Sequence, residues 1–164
     1  AVRIGLLEDK YILKYVVPVN TTSIELTTDK YGNAFNFGIG ERFKVYINGK
    51  SNTDESYAAL YLEINKISTP QWIYAGSSLY PAILGYCCAY FTNIWDLEIS
   101  TDSIQARLTS NRSNLALNNF MQNTLTLMSK PISIGGTIKP PVTSIKIITS
   151  YTIYAGSEII IKTK

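Results

Sequence analysis

The sequence predicts an all-β protein, an antiparallel β-sandwich of the jelly-roll or immunoglobulin-like kind. Apolar residues alternate with polar ones along most of the chain, and turn residues separate these segments about every eight to twelve residues. Residues 71–95 contain no charged side chain but do contain Gly76, Pro81 and Gly85. Such a stretch is typical of strands covered on both faces rather than of a helix.

Length and composition indicate one domain that assembles with copies of itself. A chain of 164 residues can bury about 70% of its unfolded surface without a metal or disulfide scaffold. We assign residues 1–9 to an N-terminal tail and residues 10–164 to the sandwich. Charged residues make up 16% of the chain, against about 25% in ordinary soluble proteins. The excess of covered surface favours a homo-oligomer or polymer.

The strands follow from the alternation, in order along the chain. The predicted segments are 2–6, 11–17, 23–27, 34–39, 42–47, 56–65, 71–75, 83–91, 94–101, 103–109, 115–121, 125–128, 144–149, 151–154 and 158–163. Asn48-Gly49 is predicted to be a hairpin turn, and so is Tyr31-Gly32-Asn33, because these residue types tolerate positive φ. Lys139-Pro140-Pro141 is predicted to be a rigid loop, since proline bars strand pairing.

The same alternation predicts which side chains face the core. The inward sets are Phe43, Val45 and Ile47, then Trp95, Leu97 and Ile99, then Ile104, Ala106 and Leu108. A helix over 102–121 is the competing interpretation of the last segment. Residues 111–114 argue against it, because four polar and turn-prone residues interrupt any helical stripe.

The residue inventory argues against an enzyme. The chain has no His, which removes the commonest general base, the nucleophilic triads and the imidazole ligands of zinc. Gly38-Ile39-Gly40 lacks the rest of a phosphate-binding loop. A glycosidase needs two facing carboxylates, and Glu63 and Glu98 are the acidic residues set in otherwise apolar strands. We predict no catalytic residue, no cofactor and no metal site.

Two further groups of residues receive structural interpretations. Asn52, Asp54 and Glu55 offer oxygen ligands of the kind calcium takes, but not at EF-hand spacing, so we expect a solvated loop and keep weak calcium binding as the alternative. Cys87 and Cys88 are expected to be small core residues. A strained vicinal disulfide or two separate thiols are the alternatives.

Nucleic-acid and membrane roles are not expected. The fifteen Lys and Arg residues are spread along the chain, without the basic stripe of a nucleic-acid footprint. Residues 72–95 are long enough and uncharged enough to cross a bilayer, but Pro81 and the Gly and Ser content disfavour a spanning helix.

Two triplets predict N-glycosylation and therefore a surface or secreted location. Asn20-Thr21-Thr22 and Asn111-Arg112-Ser113 match the acceptor pattern, and both lie in polar stretches that suggest loops.

The N-terminal segment predicts assembly by strand addition. Val2, Ile4 and Leu6 alternate with Arg3 and Gly5, so their side chains could fill a groove in the sheet of a neighbouring subunit, with Gly5 allowing close backbone approach. The alternative is that this strand pairs within its own sheet.

The chain resembles subunits of extracellular filaments built from β-sandwiches by donor-strand exchange, especially archaeal thread-type pili. The resemblance rests on the apolar alternating N-terminal tail, on the Tyr, Thr, Ser and Asn content and on the two glycosylation triplets. The resemblance implies a cell-surface structural protein with a role in adhesion or cell contact. Some filament domains also form Lys-Asn amide bonds beside a buried acid, and Glu63 or Glu98 is the candidate here.

Two other functions remain open. A viral capsid or spike protein with a jelly-roll sandwich has the same β-rich class, although residues 1–9 lack the basic arm of many capsid proteins. A carbohydrate-binding adhesin module is the other, with Trp72 and Tyr74 as candidate aromatic residues.

Overall fold

A computed structural model describes residues 11–55, 58–66, 72–74, 78–80, 83–100, 104–113, 120–129 and 140–163. Within these ranges every regular element is a β-strand, and none of the chain described is a helix of the length and apolarity that a membrane crossing requires. The strands are β1 (Tyr11–Val16), β2 (Thr21–Leu26), β3 (Arg42–Lys50), β4 (Ala58–Ile64), β5 (Trp72–Tyr74), β6 (Ser78–Tyr80), β7 (Ile83–Cys87), β8 (Tyr90–Ile99), β9 (Ile104–Ser113), β10 (Phe120–Ser129), β11 (Ile145–Ile153) and β12 (Glu158–Thr163).

These strands form two antiparallel sheets that share one hydrophobic core. The larger sheet has eight strands in the order β1-β12-β3-β8-β9-β10-β5-β6, and the smaller has four in the order β2-β11-β4-β7. The prediction of an antiparallel β-sandwich is confirmed.

The core faces agree with the alternation in the sequence. On β3 the side chains of Phe43, Val45 and Ile47 are fully buried, while Lys44 and Tyr46 point outward. The predicted inward sets of β8 and β9 are buried in the same way. Burial of a large apolar side chain such as Phe43 or Ile47 stabilises the fold by about 1.5–3 kcal/mol relative to its exposed state. Because Ile104–Ser113 is a strand, the competing helix over 102–121 is wrong.

Several predicted strand boundaries are wrong, either because a real turn carries no turn signal or because a predicted break lies inside a continuous strand. β7 ends at Cys87 and β8 begins at Tyr90, so the chain turns at Cys88 and Ala89, inside the segment predicted as one strand. The predicted break between residues 91 and 94 lies within β8. β10 and β11 likewise each run through a predicted break.

The predicted hairpin turn at Asn48-Gly49 is also wrong. Both residues lie inside β3, aligned with Thr92 and Phe91 of β8. The predicted strand over 34–39 is reduced to two single bridges, one from Ala34 to Thr28 and one from Phe37 to Val142.

The other predicted turn is confirmed. Gly32 has φ +85°, and the Asp29 carboxylate accepts hydrogen bonds from the backbone N–H of Tyr31 at 2.8 Å and of Asn33 at 2.9 Å. Pro140 and Pro141 lie in a bend that precedes the bridge at Val142. The tail over 1–9, with Val2, Ile4, Gly5 and Leu6, lies outside the described residues, as does Lys139.

Candidate functional site

An open cleft of about 400 Å³ lies on the outer face of the eight-stranded sheet, at one end of the sandwich. Four chain segments form it: the end of β3, the start of β8, the end of β9 and the turn between β11 and β12. Asn48, Thr92 and Asn111 form a polar row across its floor, because the strand registers align Asn48 with Thr92 and Thr92 with Asn111.

A close approach between β3 and the β11–β12 turn shapes one wall of the cleft. A Cβ on Gly49 would lie 2.6 Å from Ser157 Oγ and 3.1 Å from the Phe91 ring. The Ser157 hydroxyl also accepts a hydrogen bond from the Lys50 N–H at 3.3 Å. Glycine at position 49 is therefore needed for close packing inside a strand, rather than for a turn.

The floor presents polar atoms to a ligand. Thr92 Oγ1 donates a hydrogen bond to Asn48 Oδ1 at 3.1 Å, which orients the Asn48 amide. Asn111 Oδ1 is buried and accepts no hydrogen bond within the described part of the chain. Because this oxygen has almost no contact with solvent, it does not face the open cleft, and the exposed polar side chain of the floor is that of Asn48.

One cation and one aromatic ring stand beside this row. Lys50 Nζ lies 5.3 Å from the centroid of the Tyr90 ring, and the Tyr90 side chain is 41% exposed. Lys50 is an exposed cation among the described residues that line the cleft, whereas the Arg112 side chain is buried over the Tyr86 ring, and no carboxylate occurs among them. The local charge therefore favours an anionic ligand over a cationic one.

The two glycosylation triplets differ in position. Asn20 is exposed in the loop between β1 and β2, where its Oδ1 accepts a hydrogen bond from the Ala155 N–H at 3.0 Å. Asn111 lies in β9, paired on both sides, so the prediction that it lies in a loop is wrong. Asn111 and Ser113 share the outer face and line the cleft. Glycosylation of either asparagine stays a prediction.

The aromatic residues proposed for carbohydrate binding lie elsewhere on the sheet. Trp72 and Tyr74 belong to β5, where Tyr74 is aligned with Leu127 of β10. Leu127 is in turn aligned with Ala106 of β9, five residues from Asn111. At about 3.3 Å per residue, this places Tyr74 roughly 17 Å along the strand direction from the cleft.

One edge of the smaller sheet is closed by side chains of the larger one. β7 pairs with β4 on one side only. On its other side, the Asn93 side chain forms two hydrogen bonds with the Tyr86 backbone: Oδ1 accepts from the N–H at 3.2 Å, and Nδ2 donates to the carbonyl at 2.7 Å. Trp95 Nε1 donates to the Leu84 carbonyl at 3.1 Å. These contacts use backbone groups that an added strand would need.

Among the described residues, the edges at β1 and β2 are covered in part, because a residue of the loop after β2 bonds to one carbonyl of β1. β1 pairs only with β12 and β2 only with β11, and the Ile12 carbonyl of β1 accepts a hydrogen bond from the Lys30 N–H at 2.8 Å. Val16 is 50% exposed at the end of β1, and Val19 is 66% exposed in the loop that follows.

The carboxylates considered for catalysis do not form a pair. Glu63 lies on the outward face of β4 in the smaller sheet, and Glu98 lies on the outward face of β8 in the larger sheet. The sandwich core separates them, so they cannot flank one glycosidic bond. Neither is buried, which also removes the enclosed acid that a Lys-Asn amide bond would require.

Two of the three side chains considered for calcium have an oxygen atom engaged within the fold. Asn52 Oδ1 accepts from the Thr152 N–H at 2.9 Å, and Glu55 Oε2 accepts from the Tyr151 hydroxyl at 2.6 Å. The Glu55 contact raises the pKa of Tyr151, with burial adding to the effect. Across the residues described, no three acidic or cysteine side chains group as a metal site would need.

Cys87 and Cys88 are buried free thiols, as expected for small core residues. Burial raises the pKa of Cys87, which opposes thiolate formation. Its sulfur lies 3.7 Å from Thr149 Oγ1.

Sequence reasoning missed the cleft. Its residues come in polar pairs two positions apart, such as Asn111 and Ser113, and this spacing shows only that each pair shares a face. The alignment of three strands and the overhanging turn bring the pairs together.

Comparison with protein-family models gives no match, and comparison with curated proteins gives none either. Among solved structures, the chain has a weak similarity to a crystal structure from Mycobacterium abscessus described as a "Putative beta-glucanase". The identity is 10%, the TM-score is 0.25, and the match covers 87% of this chain and 75% of that chain. Similarity at this level carries no argument about function.

Proposed function

We propose that this protein is the structural subunit of an extracellular filament or pilus that polymerises by β-strand addition and serves adhesion or cell contact. The observation that supports it is the asymmetry of the sandwich edges. Asn93 and Trp95 close β7, whereas β1 pairs on one side and has exposed apolar residues at its end.

The acceptor in this proposal is the outer edge of β1. An edge strand offers N–H and C=O groups to an incoming chain. The half-exposed Val16 and the exposed Val19 lie beside that edge and lose contact with water when a strand covers them. Covering about 100 Å² of apolar surface is worth roughly 2.5 kcal/mol, in addition to the new backbone hydrogen bonds.

The donor is the N-terminal segment of a second copy. Val2, Ile4 and Leu6 share one face of an extended strand, so they can pack against the neighbouring subunit together. Gly5 lets the backbones approach on the other face. The acidic pair Glu8-Asp9 then begins the connection to the donor's own β1.

The exposed position of Asn20 agrees with an extracellular location. The Asn20 carbonyl oxygen is held by the Ala155 N–H, and N-glycans attach to the nitrogen of the same amide. The side chain lies at the surface of the β1–β2 loop. A glycan there would project from the subunit surface.

Negative-stain electron microscopy of the natively purified protein tests the proposal. We expect filaments from the full chain and none from a variant lacking residues 1–8. Closed shells would contradict the filament and favour the capsid alternative, and monomers in both samples would contradict assembly altogether.

A pair of point variants separates the acceptor edge from general surface effects. Val16→Lys should reduce polymerisation, since a charge on an edge strand opposes pairing. Ile39→Lys is the matched control, because Ile39 is 59% exposed in the loop before β3, near Ile99 at the opposite end of the sandwich. Equal polymerisation of both variants would exclude β1 as the acceptor.

A further inference from the structure

We propose that the cleft formed by β3, β8, β9 and the β11–β12 turn binds a saccharide that carries a carboxylate, such as a hexuronic acid unit. The cleft lies beside the end of β1, since Val17 bonds to Gly156 and Ser157 of the β11–β12 turn, but none of its described lining residues belongs to β1, so the proposal does not depend on filament assembly.

The size of the cleft suits a small saccharide. Its volume of about 400 Å³ lies toward the lower end of the range of roughly 300–1,000 Å³ for small-molecule sites. It opens on the outer face of the sheet, so one end of a longer polysaccharide can enter while the rest remains in solvent.

The polar row on the floor matches the hydroxyl groups of a sugar. Asn48 is exposed in the cleft, and its amide can exchange hydrogen bonds with a sugar hydroxyl. The Asn48 amide is held in place by Thr92, so it is oriented before a ligand arrives. Groups held in position lose less entropy on binding.

The charged and aromatic groups select an acidic sugar. The Lys50 ammonium is held over the Tyr90 ring at 5.3 Å from its centroid, where it can pair with a carboxylate at the mouth of the cleft. The exposed part of Tyr90 offers an apolar surface to the C–H groups of a sugar ring. Since no carboxylate occurs among the described lining residues, an acidic ligand meets no repulsion there.

The test is isothermal titration of the full chain with digalacturonate and with its neutral counterpart galactobiose, at low salt. We expect digalacturonate to bind at least about tenfold more tightly, since a charge-assisted hydrogen bond contributes on that scale. Lys50→Gln should remove most of this difference, and Asn48→Ala should weaken the binding of digalacturonate. Thermal unfolding of each variant checks that the fold is retained.

A second lysine and tyrosine pair on the same outer face provides the matched control. Lys162 Nζ lies 5.3 Å from the Tyr46 ring centroid, outside the cleft. Lys162→Gln should leave digalacturonate binding unchanged, whereas Tyr90→Leu should weaken it about fivefold and Tyr46→Leu should not.

Three results would overturn the proposal. Equal affinity for the two disaccharides would remove the role of the carboxylate. Equal losses from Lys50→Gln and Lys162→Gln would show only general attraction to a basic surface. A native mass that carries a glycan on Asn111, absent from a Ser113→Ala variant, would show that the cleft holds the protein's own modification.

Discussion

Gly85 in β7 is the position where one added methyl group should destabilise the protein most clearly. A Cβ there would lie 2.4 Å from Trp95 Cζ2 and 2.9 Å from the Leu60 carbonyl oxygen. Ordinary contact begins at 3.4 Å, so the Trp95 ring must recede by about 1 Å. Overpacking of this kind costs about 1–3 kcal/mol. The same shift strains the hydrogen bond from Trp95 Nε1 to the Leu84 carbonyl, which adds about 1 kcal/mol.

We therefore expect Gly85→Ala to lower the free energy of unfolding by about 2–4 kcal/mol, or the melting temperature by roughly 5–15 °C for a chain of this size. Urea titration followed by tryptophan fluorescence measures it. Gly38→Ala is the control, because a Cβ at Gly38 meets no atom within 4 Å and the substitution should be neutral or slightly stabilising. Equal urea midpoints for Gly85→Ala and the parent would refute the packing argument.

Three further predictions concern the sheet edge, the cleft wall and pH. Asn93→Leu removes the amide that bonds to the N–H and C=O of Tyr86, so we expect it to lower the free energy of unfolding by about 2–4 kcal/mol. An unchanged urea midpoint would show that the edge of β7 does not need the Asn93 contacts. Gly49→Ala places a methyl group 2.6 Å from Ser157 Oγ. We expect it to lower the free energy of unfolding by about 1–3 kcal/mol and to weaken the binding of digalacturonate. Burial raises the pKa of Cys87, so the neutral thiol favours the folded state. This contribution to the free energy of unfolding is complete below the thiol pKa of the unfolded chain and declines as pH rises above that value. Unfolding at pH 8 and pH 10 should therefore show a loss that Cys87→Ala lacks, and equal losses would contradict this.

The alternation of apolar and polar residues was most informative for strands that bury one face and expose the other. Phe43, Val45 and Ile47 alternate with polar residues, and a strand with one face in the core must alternate in this way. Their burial was therefore predictable. The turn at Cys88 and Ala89 was not, because both residues are buried and neither has the chemistry of a turn. The pair Asn48-Gly49 gave the opposite error. These residue types are typical of turns, but Gly49 lies inside β3, where it allows the close approach of Ser157 and Phe91.

Local alternation was sufficient to establish the β-sandwich class and the inward faces of β3, β8 and β9, because side-chain direction along a strand depends only on neighbouring positions. It could not establish which strands are neighbours or in what register, because pairing joins residues far apart in sequence. Tertiary structure decided that Asn48, Thr92 and Asn111 form one row, that Asn93 closes the edge of β7, and that Glu63 and Glu98 lie on opposite faces. The cleft and the open edge of β1, on which both proposals depend, are consequences of that long-range pairing.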